Sequence, residues 1–153
     1  MTAIILAGGK ATRMKGHDKA FIKINHEPLI KRQVKLLGKL FFRQAILNEG
    51  RIPPEAGKEI IIVTNSPQKY KSLKGVKVVT DIIPHQGPLG GIYSGLIASN
   101  SFYNFVVACD MPYIDTGLIE YMYKRSPGYD AVVPKLNKRY EPLYSFYSKN
   151  CLK

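Results

Sequence analysis

Short apolar segments alternate with amphipathic segments along nearly the whole chain, and this alternation constrains the fold more than any other feature. The predicted strands are apolar and of strand length: 2–7, 21–24, 60–64, 76–80, 104–109, 129–133 and 140–147. The predicted helices lie between them: 28–42, 67–74, 92–98 and 115–123. Strands that alternate with helices favour a mostly parallel sheet with helices on both faces. We therefore expect an α/β fold with a Rossmann-like, doubly wound sheet.

The size and composition of the chain indicate one domain. Its 153 residues, 45% hydrophobic and 22% charged, are ordinary for a globular protein and long enough for a substantial core. No apolar stretch approaches the roughly 20 residues that cross a bilayer, and the first residues lack the pattern of a signal peptide. Cys109 and Cys151 make neither a disulfide framework nor a zinc site. We expect a single cytoplasmic domain over residues 1–153, with no membrane partner.

The net charge of +12 is compatible with a nucleic acid, a membrane surface or a small polyanion as partner. Lys31, Lys35 and Lys39 recur every four residues and so line one helix face, which is most simply a solvated surface. The sequence shows none of the common nucleic-acid-binding signatures. We expect no nucleic acid partner, and a positive potential that concentrates phosphate-bearing substrates.

A glycine pair follows the first strand and opens a cationic loop. Gly8 and Gly9 let the backbone approach an anion closely, and Lys10, Arg13 and Lys19 add positive charge. The loop matches neither the P-loop pattern nor the dinucleotide fingerprint. A glycine pair can also make a simple tight turn, but a turn does not require these cations. The loop therefore predicts a phosphate-binding site.

Other polar residues follow later strands. Asn65, Asp81 and Asp110 each come directly after a predicted strand, as Gly8 does. Ligands of open α/β sheets gather beyond the carboxyl ends of the strands, so we expect these four residues to lie near one another. Asp110 can hold Mg²⁺ together with substrate phosphates, or it can simply stabilise a turn. Beside a phosphate loop we favour the metal role, whereas Asp115 is predicted to cap the next helix.

A second glycine-rich segment precedes the helix predicted at 92–98. Gly87, Gly90 and Gly91 would allow the backbone to approach a planar or anionic group. The alternative is a flexible loop that enters a helix packed tightly at Gly95. We favour ligand contact, and Gly87 and Gly90 are the candidate residues.

Four motifs in this order resemble the molybdenum cofactor guanylyltransferase family. They are LAGGKATRMKGHDK at 6–19, GPLGGIYSGL at 87–96, CDMP at 109–112 and YEPLYSFY at 140–147. The opening LAGG and the later DK are the more specific, because related cytidylyl- and uridylyltransferases usually open with LAAG. The resemblance implies a nucleotide-diphospho-sugar transferase-like fold.

The resemblance also implies roles for residues of the first motif. Leu6, Ala7 and Gly8 would contact GTP, Lys19 would bind its phosphates, and Arg13 would steady the β- and γ-phosphates.

Three further residues match the family at strand ends. Asp81 would contact the nucleotide, and Asp110 would both contact the nucleotide and hold Mg²⁺. Asn65 resembles an asparagine that lies near the guanine.

The activity implied by the resemblance is transfer of GMP from Mg-GTP to the phosphate of molybdenum-loaded molybdopterin, with release of pyrophosphate. Other molybdenum-cofactor proteins would hand over or receive the pterin. The alternatives are a cytidylyl- or sugar-nucleotide transferase on the same scaffold, a truncated non-catalytic nucleotide-binding module and a basic nucleic-acid binder. Because the family's chains continue beyond the last motif, we expect the C-terminal segment to be lacking. The loop 48–58 is longer than the resemblance needs.

Overall fold

The computed structural model describes residues 1–8, 19–47, 59–83 and 86–153, with the backbone alone over 42–47. The strands are β1 Thr2–Leu6, β2 Lys23–Ile24, β3 Glu27–Pro28, β4 Ile60–Val63, β5 Lys77–Val79, β6 Tyr103–Ala108, β7 Ala131–Val132, β8 Lys135–Leu136, β9 Arg139–Tyr140 and β10 Tyr144–Ser148. The helices are α1 Leu29–Leu47, α2 Gly87–Ala98 and α3 Thr116–Arg125. Single 3₁₀ turns cover Lys19–Phe21, Pro67–Tyr70 and Lys149–Leu152.

The main sheet has the strand order β5-β4-β1-β6-β10-β7. Strand β1 runs parallel to both neighbours, with Leu6 opposite Val63 of β4 and Ala108 of β6. Strand β10 is antiparallel to β6 and to β7, which makes the sheet mixed but mostly parallel. The predicted α/β fold class is confirmed.

Helices cover both faces of this sheet, because β1 is apolar at every position but the first. Ala3 and Ile5 pack into a core shared with α1 and α3. Ile4 and Leu6 pack into a second core shared with α2. All five residues of β1 are buried, as expected for a central parallel strand. The continuous apolar run therefore identifies the middle of the sheet.

The predicted solvated face of α1 is confirmed, because Lys31, Lys35 and Lys39 are all exposed. Gln33, Leu37 and other buried residues occupy the opposite side of the helix. Among the helices in the described part of the chain, none combines the length and the apolar character needed to cross a bilayer.

Two expected elements take a different form at tight turns. The predicted strand 21–24 is a 3₁₀ turn followed by a hairpin of β2 and β3, because Asn25 and His26 have φ of 50° and 66° and reverse the chain. The predicted strand 140–147 is divided into β9 and β10. Asn137 and Lys138, at φ of 47° and 68°, pair β9 with β8 as a separate hairpin.

The predicted helix 67–74 is shorter than expected. It forms only the 3₁₀ turn Pro67–Tyr70, whose Tyr70 is fully buried. The chain then turns back into β5 through Gly75, which has φ of +73°. The chain therefore makes one 3₁₀ turn that buries an aromatic side chain and then returns to the sheet, where a regular helix was expected.

The close packing of α2 on β1 gives a testable consequence. A Cβ added at Gly95 would lie 2.4 Å from Cγ2 of Ile4, inside the core. We expect Gly95→Ala to lower the free energy of unfolding by about 1–3 kcal/mol, because the core must shift to accept it. Gly38→Ala is the matched control, since an added Cβ there meets no atom within 4 Å in the interior of α1. This control should gain about 0.5–1 kcal/mol. Urea denaturation measures both, and equal stabilities would contradict the packing.

Candidate functional site

The candidate site lies where β1, β4 and β6 end side by side. The Ala7 N–H donates to the Val63 carbonyl at 2.8 Å, and the Cys109 N–H donates to the Leu6 carbonyl at 3.0 Å. Gly8 follows directly, is exposed, and has no atom within 4 Å of an added Cβ. The open edge of the sheet therefore begins at Gly8, while Leu6 and Ala7 are buried and have backbone groups engaged within the sheet.

Lys19 and Asp110 meet at this edge although 91 residues separate them in sequence. Lys19 Nζ donates to Asp110 Oδ2 at 3.1 Å, and the two side chains are 48% and 45% exposed. Ion pairs of such exposure contribute no more than about 1 kcal/mol to stability. The pair can therefore open at low cost, so that the ammonium meets an anion and the carboxylate meets a cation.

Asp110 is carried by a tight turn at the end of β6. The Met111 N–H donates to the Ala108 carbonyl at 3.3 Å, which closes the turn. From α1, Gln33 Nε2 donates to the same Ala108 carbonyl at 3.0 Å and to the Met111 carbonyl at 2.8 Å. Sequence reasoning missed Gln33. The available signal was a polar residue three positions after Ile30 on the buried face of α1.

The chain that leaves this turn is fixed at α3. Asp115 accepts a hydrogen bond from the Leu118 N–H at 3.0 Å, which confirms the predicted helix cap. The Tyr144 hydroxyl accepts from the Asp115 N–H at 2.9 Å and donates to the Asp115 carbonyl at 3.1 Å. Burial raises the pKa of Tyr144 to about 12, so the hydroxyl keeps the proton that it donates well into alkaline pH. Both sides of the Asp110 turn are therefore anchored.

Asp81 lies at the end of β5 and is held by α2. Its Oδ1 accepts from the Ile83 N–H at 3.1 Å and lies 2.9 Å from Ser94 Oγ. The Ser94 hydroxyl also accepts from the Ile82 N–H at 2.9 Å and lies 2.8 Å from the Gly90 carbonyl, so its one proton serves either Asp81 or Gly90. Sequence reasoning missed Ser94, although the resemblance quoted its motif. Asp81 therefore has a clear structural role, and nucleotide contact stays a prediction.

The glycine-rich segment 87–91 is helical, which corrects the expected loop before residue 92. Helix α2 begins at Gly87, whose φ of +58° favours glycine. Gly90 is buried, and an added Cβ would lie 2.7 Å from the Ile83 carbonyl oxygen and 3.1 Å from Asp81 Oδ2. Close packing therefore already requires glycine at Gly90, and ligand contact by Gly87 and Gly90 stays a prediction.

The remaining candidate residues are Asn65, Gly9 and Arg13. Asn65 is exposed two residues after the end of β4, whose last residue pairs with the end of β1. Gly9, Arg13 and the rest of the loop 9–18 lie outside the described residues, as does the loop 48–58. The roles of all these residues stay predictions.

Asp110 is the described residue that could hold Mg²⁺ at this edge of the sheet. Among the described residues, no group of three or more His, Cys, Asp or Glu could hold a metal ion by itself. Mg²⁺ in nucleotide sites needs only one or two carboxylates, because substrate phosphates and water supply its other ligands. Asp110 offers a hard oxygen donor at an accessible edge, and one of its oxygens contacts a cation already. The donor set fits a metal that arrives with a triphosphate.

Comparisons with known proteins show the family of this chain. Residues 3–153 match the model of the MobA-like NTP transferase domain. The chain belongs to this family. A probable molybdenum cofactor guanylyltransferase from Clostridium perfringens is 39% identical over 150 residues, which are 98% of this chain and 67% of that protein. The molybdenum cofactor guanylyltransferase of Syntrophotalea carbinolica is 36% identical over 152 residues, which are 97% of this chain and 63% of that protein.

Solved structures give the same fold. The molybdopterin-guanine dinucleotide biosynthesis protein A of Archaeoglobus fulgidus superposes with a TM-score of 0.72 at 22% identity. The superposition covers 99% of this chain and 69% of that one. This family member therefore spans about two thirds of the length of its relatives.

The hydroxyl that joins Asp81 to α2 gives a second prediction. Ser94→Ala removes the acceptor of the Ile82 N–H and a partner of Asp81, so we expect a loss of about 1 kcal/mol in the free energy of unfolding. Ser66→Ala is the control, because Ser66 makes no side-chain capping bond at the 3₁₀ turn that follows it. This control should change stability by less than about 0.5 kcal/mol. Thermal denaturation compares the two, and a neutral Ser94→Ala would contradict the assigned network.

Proposed function

We propose that this protein transfers GMP from Mg-GTP to the terminal phosphate of molybdenum-loaded molybdopterin and releases pyrophosphate. The family membership and the names of the relatives support the reaction class and the acceptor. The observation that carries the site is the contact between Lys19 and Asp110 at 3.1 Å, at the sheet edge where Gly8 is exposed. An anion-binding lysine and a metal-binding carboxylate in contact suit a metal-bound triphosphate.

The chemistry needs alignment and charge neutralisation more than proton transfer. The acceptor phosphate is already an anion, so an oxygen of that phosphate can attack the α-phosphorus without a general base. A new P–O bond forms as the bond to the pyrophosphate oxygen breaks. Lys19 would neutralise charge on the phosphates, and Arg13 would do the same at the β- and γ-positions.

Asp110 would hold Mg²⁺ in this scheme. When bound, the metal would neutralise charge on phosphate oxygens and orient them. Asn65 and Asp81 would contact the nucleoside, and the backbone at Leu6, Ala7, Gly8 and Gly9 would approach it together with Gly87 and Gly90.

The biological setting is part of the same proposal. We place the reaction in the cytoplasm, within one domain over residues 1–153, with GTP and molybdopterin as substrates. Other molybdenum-cofactor proteins would deliver or accept the pterin.

Asp110 should matter more for turnover than for nucleotide affinity. We expect Asp110→Ala to lower kcat by roughly 100-fold or more, because charge at the phosphates is no longer neutralised through a metal. Calorimetric affinity for GTP measured without metal should fall much less. An equal loss of turnover and of metal-free affinity would argue against a metal-centred role for Asp110.

Lys19 should instead act on phosphate affinity. Lys19→Ala removes a charged hydrogen bond of about 1.5–3 kcal/mol, which is roughly ten- to a hundredfold in the Kd for GTP. Lys35→Ala is the control, because Lys35 is an exposed lysine of α1 and its replacement removes the same positive charge. Calorimetry with GTP separates the two, and an unchanged Kd for Lys19→Ala would remove Lys19 from the site.

Pyrophosphate release from Mg-GTP, with and without molybdopterin, tests the proposed reaction. We expect release that depends on the pterin and on GTP rather than CTP or UTP. Preference for CTP or UTP would favour the alternative transferase. GTP binding without release would indicate a non-catalytic nucleotide module, and binding of DNA or RNA with a steep salt dependence would indicate a nucleic-acid binder.

A further inference from the structure

Gln33 is a buried polar residue of α1. Both hydrogen bonds that its side chain makes to described residues go to the turn that carries Asp110. Its side chain is 1% exposed and lies on the face of α1 that otherwise packs Ile30 and Leu37 into the core. Both recorded hydrogen bonds leave from Nε2, to the carbonyls of Ala108 at 3.0 Å and Met111 at 2.8 Å. One amide nitrogen therefore joins the first and last residues of the turn to a rigid helix.

The other end of the same amide is its oxygen, Oε1. Among the described residues, Gln33 Oε1 is the buried side-chain oxygen or nitrogen that has no hydrogen-bond partner. A buried acceptor without a partner destabilises the fold, whereas an apolar side chain of similar length would avoid that cost. The two donated bonds offset this cost by satisfying the Ala108 and Met111 carbonyls, so the contribution that is specific to glutamine here is to tie the turn to α1.

The turn needs this support because its own closure is weak. The bond from the Met111 N–H to the Ala108 carbonyl is 3.3 Å long, near the upper limit for such bonds. Asp110 occupies the third position of this turn and is 45% exposed on its side chain, so packing does little to fix it. The carbonyls on either side of Asp110 are held through Gln33.

We propose that Gln33 is a positioning residue that sets the direction of the Asp110 carboxylate for metal-bound nucleotide. This inference rests on the proposed function, because it requires that Asp110 holds the metal. Gln33 acts through the backbone of the turn and touches neither metal nor substrate. Partners of this kind behind a metal ligand commonly change metal affinity or activity ten- to a hundredfold when they are replaced.

The test measures how much a metal strengthens nucleotide binding. Calorimetry gives the GTP affinity of the full chain with and without Mn²⁺, and the ratio is the metal-dependent gain. We expect Gln33→Met to lower this gain by roughly tenfold while metal-free GTP affinity stays within about twofold. The thermal midpoint should change little, because methionine removes the oxygen that has no described partner but also leaves the Met111 carbonyl without its donor. Gln33→Asn keeps an amide but on a shorter side chain, and it should lower the metal-dependent gain in the same way. This second variant keeps the test informative if Gln33→Met does not fold.

Two controls separate the possible failures. Leu37→Ala creates a cavity on the same face of α1, one turn away, and should lower stability without changing the metal-dependent gain. Asp110→Asn tests the metal role itself. If Asp110→Asn loses the gain and both Gln33 variants keep it within twofold, the role of Gln33 is overturned. If Asp110→Asn also keeps the gain, the metal site of the proposed function fails, and the role of Gln33 fails with it.

Discussion

The parallel pairing of β1 with β4 and β6 is the constraint on which the rest of the structure depends. Because the three strands run in one direction, their carboxyl ends share one edge, and the chain after each strand emerges there. Gly8, Asn65 and Asp110 lie just after these three strands. The apolar sequence of β1 buries it on both faces and so fixes its central place. The candidate site thus follows from the order of strands before any polar side chain is considered.

The glycines of α2 lie in different surroundings. Gly91 lies so close to β1 that an added Cβ would be 3.1 Å from Leu6 Cδ2, and Gly95 is still closer to Ile4. These glycines let the helix approach the central strand. Gly87 differs from them, because it is exposed and an added Cβ would meet nothing within 4 Å. The motif therefore combines residues that serve the core with one that faces the solvent.

Sequence patterns predicted the parts of the structure that depend on local chemistry. Apolar runs identified β1, β4 and β6, and the position of Asp115 before α3 identified a helix cap. The neighbours of Lys19 and Asp110 in the sequence do not encode their contact. The family resemblance assigned both residues to one nucleotide site, and the rule about strand ends placed Asp110 at the edge of the sheet. The roles of Gln33 and Ser94 were not predictable, because hydropathy assigns a residue to a helix face but does not identify its hydrogen-bond partner. Glycines concealed the start of α2, because their low helix propensity predicts a loop, whereas in the structure their close packing outweighs that propensity.

A crystal structure with a non-hydrolysable GTP analogue and Mn²⁺ tests the account most directly, because the anomalous signal of manganese locates the metal independently of the nucleotide. The account predicts one anomalous peak at the Asp110 carboxylate, with the triphosphate between Gly8 and Lys19. A nucleotide bound away from this edge, or a metal peak with no contact to Asp110, would contradict it.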